Sequence, residues 1–135
     1  MIFVDTNILI DIATGNPAWA EWSRHAIVSA YARGPLLINA IVYAEFAIGF
    51  EDQSDCEAEI EKFDLTLVEI PKSAAFRAAQ AFRSYRRAGG LRTAALPDFF
   101  IGAHASVAAA TLLTRDARRY RAYFPELALV APDGQ

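Results

Sequence analysis

A chain of 135 residues that is 54% hydrophobic can fill one core but is too short for two, so residues 1–135 read as a single domain. Its lone cysteine, Cys56, excludes an internal disulfide and a shared-thiolate zinc site and favours a reducing, cytoplasmic setting. The formal net charge of −3 weighs against indiscriminate nucleic-acid binding, yet it averages two opposed halves. Residues 1–69 carry 12 acidic against 3 basic side chains, or −9, and residues 70–135 carry 4 against 10, or +6.

Met1 to Val4 is an apolar run closed by Asp5, the pattern of a strand buried on both faces of a parallel sheet. Asp5 and Asp11 interrupt the apolar stretch and no basic segment precedes it, so it reads as neither a signal peptide nor a membrane span. Asn16 and Pro17 form a helix start, and Trp19, Trp22, Ile27, Ala30 and Tyr31 then recur at helical spacing. Gly34 and Pro35 end that helix before a second strand, Leu36 to Ile38. Asn39 then caps a helix carrying Glu45, near its middle, to about Phe50. Ser54 with Glu57 forms a capping box opening an acidic helix, whose run Glu51 to Glu61 reads as a solvated face. Leu67 to Ile70 reads as a third strand closed by Pro71, and the helix from Ser73 runs to Arg87 before the Gly89-Gly90 break. Pro97 precedes a helix beginning at about Asp98. Thr111 to Leu113 is a strand, Ala117 to Tyr123 a short basic helix and Leu127 to Val130 a last strand. Strand and helix alternate without a hairpin signal, which predicts a three-layer α/β/α sandwich around a mostly parallel sheet.

In such sheets ligands bind beyond the carboxyl ends of the strands. Asp5 follows the first strand, Asp116 follows Thr111 to Leu113, Asp98 opens a helix where the dipole favours a carboxylate, and Glu45 lies on a helix that can bring it to the same place. Four carboxylates in one pocket repel one another unless a cation joins them. Hard oxygen donors suit Mg2+ or Mn2+, and the matching chemistry is metal-assisted attack of water on a phosphodiester. Arg83, Arg86, Arg87 and Arg92 read either as a helix end, where cations suit the dipole, or, with Arg115, Arg118 and Arg119, as a basic rim that guides a phosphate backbone. His25 and His104 read as packed or surface residues. Asp11 reads as an outer helper of the first site or as surface.

Asp5-Thr6-Asn7, Ala44-Glu45, Pro97-Asp98 and Leu113-Thr114-Arg115-Asp116, extended by Arg118-Arg119-Tyr120 and Tyr123-Phe124-Pro125, resemble PIN-domain toxins of the VapC type over nearly the whole chain. The resemblance implies a Mg2+- or Mn2+-dependent endoribonuclease, neutralised by a cognate antitoxin and forming a homodimer. It puts Asp5, Glu45, Asp98 and Asp116 at the metal site, with Asn7 and Thr114 as polar supports. One departure lies in Ser106 to Ala110, which lacks the glycine such proteins often carry before the strand. Two other readings stand beside it. One is a PIN-like module that binds RNA or protein without cutting. The other is a haloacid-dehalogenase-type phosphatase, for which Asn7 stands where a second aspartate is needed and the two lysines, Lys62 and Lys72, lie in poor contexts.

Overall fold

In a computed structural model, residues 1–132 are described, and their five strands form one parallel sheet of order β3-β2-β1-β4-β5. The strands are β1 (Ile2–Val4), β2 (Leu36–Ile38), β3 (Thr66–Leu67), β4 (Thr111–Leu113) and β5 (Leu129–Val130). The helices between them are α1 (Thr6–Thr14), α2 (Ala20–Tyr31), α3 (Ala40–Ala47), α4 (Gln53–Glu61), α5 (Lys72–Arg87), α6 (Leu96–Val107) and α7 (Arg118–Tyr123). Together they make the expected three-layer α/β/α fold. No helix among the described residues is long and apolar enough to cross a membrane.

β1 lies at the centre, with Ile2 facing Leu36 of β2 on one side and Thr111 of β4 on the other. Ile2, Phe3 and Val4 are all buried, as a strand covered on both faces requires. From β1 the chain winds outward through β2 and β3, then returns to lay β4 on the opposite side. The direction of winding therefore reverses beside β1, and the crevice opened by such a reversal lies beyond the carboxyl ends of β1 and β4. Asp5 and Thr114 stand at that crevice.

The structure alters several expectations. Residues 6–14 form α1, a helix absent from the sequence reading: Asp5 both closes β1 and caps α1, its carboxylate accepting from the Thr6 N–H. Asn16 accepts from the N–H groups of Ala18 and Trp19 and so organises a turn, and the helix proper begins at Ala20. α3 ends at Ala47, which puts Glu45 in its last turn, where the dipole opposes a carboxylate. The Ser54–Glu57 capping box does not form. α4 starts at Gln53, and Glu57 instead accepts from the Tyr43 hydroxyl at 2.7 Å, tying α4 to α3. The third strand is only Thr66–Leu67 and is exposed, as befits an edge, and the fifth covers only Leu129–Val130.

Two details hold the site-bearing helices in register. Asn39 caps α3 through its Oδ1, which accepts from the N–H groups of Ile41 and Val42, while its Nδ2 meets His104 Nδ1 of α6 at 3.2 Å. His104 is buried against Phe3, and burial holds its pKa below the ordinary value, so it serves as a neutral strut between α3 and α6. Gly102 lets α7 approach α6: a Cβ there would lie 2.7 Å from the Phe124 ring and 3.0 Å from Tyr120.

Candidate active site

Beyond the carboxyl ends of β1 and β4 opens a cavity of about 680 Å³, lined among others by Asp5, Glu45, Asp98 and Asp116. The four acids come from four different places: the β1–α1 junction, the end of α3, the first turn of α6 and the loop after β4. Asp5 is buried and strongly tethered. Its Oδ1 accepts from Thr6 N–H at 2.7 Å, and its Oδ2 accepts from the hydroxyls of Thr114 at 2.8 Å and Tyr120 at 2.9 Å, with Asn7 Nδ2 farther off at 3.4 Å. Asn7 and Thr114 thus both contact the Asp5 carboxylate. Asn7 also joins the two loops, donating to Thr114 Oγ1 and accepting from Arg115 N–H.

Glu45 accepts from the Thr6 hydroxyl at 2.7 Å, and Asp98 accepts from Arg119 Nη1. Asp116 is exposed on the cavity wall, its backbone N–H donating to Thr114 Oγ1. Sequence reasoning did not single out Thr6 or Tyr120. Tyr120 lies 115 residues from Asp5 and Thr6 lies 39 from Glu45, so only the fold joins them.

The electrostatics record the crowding. Burial, then the negative charge of Asp98, pushes Asp5 up to about 7 against the pull of its donors. Glu45 is raised by burial, with the Thr6 hydroxyl opposing and the charge of Asp98 adding. Asp98 is raised by burial in spite of Arg119, and Asp116 adds to the rise. Tyr120 is held well above its ordinary value by burial and by Asp5, so it stays a donor. Hard, mutually repelling oxygen donors with unmet charge are what a divalent cation compensates, so the donor chemistry fits one. As they stand, no three His, Cys, Asp or Glu side chains among the described residues are grouped closely enough to hold an ion. Thr6, Arg119 and the Asp5 donors each hold an acid at its own wall.

The expected basic rim divides. Arg92, Arg118 and Arg119 line the cavity, whereas Arg83, Arg86 and Arg87 are exposed on α5 outside it. Arg115 is turned away: its Nε donates to buried Asp11 at 2.7 Å and its guanidinium lies 5.6 Å from the Trp19 ring centre. Asp11 also accepts from the Ser23 hydroxyl at 2.9 Å, which makes it a brace between α1 and α2.

The sequence matches the PIN domain family over residues 2–125, and the chain belongs to that family. Similar solved structures include a chain of VapBC2 from Rickettsia felis bound to a DNA fragment from their promoter. It has a TM-score of 0.74 and 20% identity, covering 97% of this chain and 98% of that one. A chain of VapBC-1 from nontypeable Haemophilus influenzae matches with a TM-score of 0.73 and 19% identity over 97% and 98%. One of FitAcB from Neisseria gonorrhoeae matches with 0.65 and 23% over all of both chains. At these identities the likeness is one of fold. No curated protein sequence matches the chain.

Proposed function

We propose that this protein is a Mg2+- or Mn2+-dependent endoribonuclease, cytoplasmic, and the toxin of a toxin–antitoxin pair. The observation that carries the reading is the convergence of four acids from four elements on one cavity at the reversal point of the sheet, three of them with pKa values raised by burial and by one another. Family membership favours it over a haloacid-dehalogenase-type phosphatase.

In this reading Asp5, Glu45, Asp98 and Asp116 hold the cation. The chemistry supplied by the bound ion is activation of a water molecule and charge neutralisation at the phosphorus centre. Tyr120 and Thr114 aim the Asp5 carboxylate by donating to the same oxygen, and Asn7 locks the β1 and β4 loops together beneath it. Arg92 and Arg118 meet the backbone at the cavity. Arg83, Arg86 and Arg87, followed in the chain by Gly89, Gly90 and Arg92, extend the track for more distant phosphates. Arg115, engaged with Asp11, takes no part.

The test is cleavage of RNA by the purified protein with Mn2+ or Mg2+, with chelator, and by Asp98→Asn. Cleavage only by the wild type with metal is expected. Intact RNA in every arm, with RNA still bound, would replace the nuclease with a binding module.

The antitoxin reading rests on a second cleft of about 540 Å³, lined by Ile10, Ala13, Phe46, Ile48 and Phe50, which shares Ile10, Glu45 and Ile48 with the acidic cavity. An amphipathic segment seated there would bring a basic side chain to the acids. Neighbouring structures of this fold are VapBC and FitAcB proteins. Ile48 is 83% exposed, so Ile48→Glu should spare the fold but abolish capture of the adjacent gene's product. Undiminished capture would remove this cleft from the interface.

A further inference from the structure

The cavity already contains a cation of its own. Arg119, on the first turn of α7, donates from Nη1 to Asp98 Oδ2, and its guanidinium lies 5.6 Å from the ring centre of Tyr85 on α5. Tyr85 belongs to an aromatic cluster with Phe82, Phe99 and Tyr123, so the shelf beneath the guanidinium is rigid. Neither partner is freely solvated: the side chains of Arg119 and Asp98 are 29% and 34% exposed. Arg118, its neighbour, also lines the cavity but bonds to no acid among the described residues.

Resting on the metal-dependent reading above, we propose that Arg119 is an internal counter-cation that competes with the divalent ion for Asp98. The ion pair satisfies Asp98 at the cavity wall and places a positive charge beside any ion approaching it. Asp98 is thereby held at the α7 side of the cavity, by Arg119, while Glu45 is held across it by the Thr6 hydroxyl. For Asp98 to hold the ion, its bond to the Arg119 guanidinium would have to break. Arg119 is thus a positioning residue that sets metal affinity, and its role differs in sign from that of a simple brace. A brace holds Asp98 ready for the ion, so its loss weakens binding. A competitor excludes the ion, so its loss strengthens binding.

Mn2+ affinity of the full-length protein, measured by calorimetry without RNA, separates these. Arg119→Met keeps the length and the contact with Tyr85 but removes the charge. Removing a unit charge within a few ångströms of a divalent ion should lower the Kd about tenfold, even with water-like screening. Arg118→Met should change it by less than about threefold, since that charge is exposed and bonded to no acid. The rise in melting temperature caused by Mn2+ should also be larger in Arg119→Met than in the wild type. Weaker binding in Arg119→Met would make Arg119 a brace and overturn the proposal. Equal gains in both variants would reduce the effect to general potential and also overturn it. If the wild type and both variants bind no Mn2+, the metal-dependent reading fails and takes this with it. If the wild type binds and Arg119→Met binds no tighter, this proposal alone fails.

Discussion

Asp5 and Asp11 are both buried aspartates, six residues apart on the same segment, and they live in opposite circumstances. Asp11 is 1% exposed and meets a guanidinium, a hydroxyl and an amide, from Arg115, Ser23 and Asn16. Asp5 is 5% exposed and meets only neutral donors, with the negative charge of Asp98 nearby. A buried carboxylate with its own cation is part of the scaffold. One without a cation of its own, in a cavity, is free to take one, as the proposed function requires of Asp5.

Replacing Asp5 should produce the largest effect. If the proposed function is right, Asp5→Asn should lower RNA cleavage at least a hundredfold, through loss of a charge proposed to hold the ion. The metal-free protein should respond the opposite way. The folded pKa, about 7, lies above the ordinary 3.8. The stability this group contributes is therefore complete below pH 3.8 and is lost as pH rises through 7, a loss on the order of 4 kcal/mol. An amide retains one acceptor for Thr6 N–H, and its NH2 can donate to the rotatable hydroxyls of Thr114 and Tyr120. In chelator, Asp5→Asn should therefore melt higher than wild type at pH 8, by roughly 2 kcal/mol, and match it near pH 4. Thermal melts across that range check this, and a lower melting point at pH 8 would break the contrast between the two aspartates.

Asp11→Asn should do the reverse. It leaves Arg115 without its anion and weakens the bond from Ser23. The cost, reduced because Arg115 can turn toward solvent, is roughly 2–3 kcal/mol, or about 10 °C in Tm. Cleavage per folded molecule should be preserved within about threefold, measured well below the melting transition. A loss of the Asp5→Asn size would place Asp11 in the chemistry.

The same pair shows what was legible in the sequence. Asp5, Asp98 and Asp116 stand at positions that local pattern defines: after an apolar run, at a helix start, and after a second apolar run. The helix-covered parallel sheet then follows from the alternation of strand and helix, but its order, β3-β2-β1-β4-β5, depends on contacts that no local pattern shows. Glu45 is one of twelve acids in the acidic half and stands at no strand end or helix start, so only its place on a helix able to reach the same pocket, together with the family resemblance, set it apart. The helix α1 escaped because Asp5 does two jobs at once and because a charged residue, Asp11, sits on its buried face. The partner that makes that burial possible, Arg115, is 104 residues away. For the same reason nothing local distinguished Arg115, committed to Asp11, from Arg119, committed to Asp98.

The smallest effect lies at the other end of the helix that carries Asp98, and it separates scaffold from chemistry without touching either aspartate. Where the resembling proteins often have a glycine, α6 ends with Ala109 in the left-handed conformation, at φ 53°. Its N–H donates to Ser106 O and that of Ala110 to Ala105 O, the paired bonds of a helix stop that normally selects glycine. An alanine there pays a steric penalty of roughly 1–2 kcal/mol, partly offset because glycine has more freedom in the unfolded chain. Ala109→Gly should thus stabilise the protein by about 0.5–1 kcal/mol, seen as a rise of a few degrees in Tm. The site is remote from Asp11 and Asp5, so the gain should add to either substitution. Combined with Asp11→Asn it should recover part of the lost stability, and with it the folded population near the melting transition. Combined with Asp5→Asn it should raise Tm and return no cleavage at all. Recovery of cleavage in that second combination would mean that Asp5 contributes through stability alone.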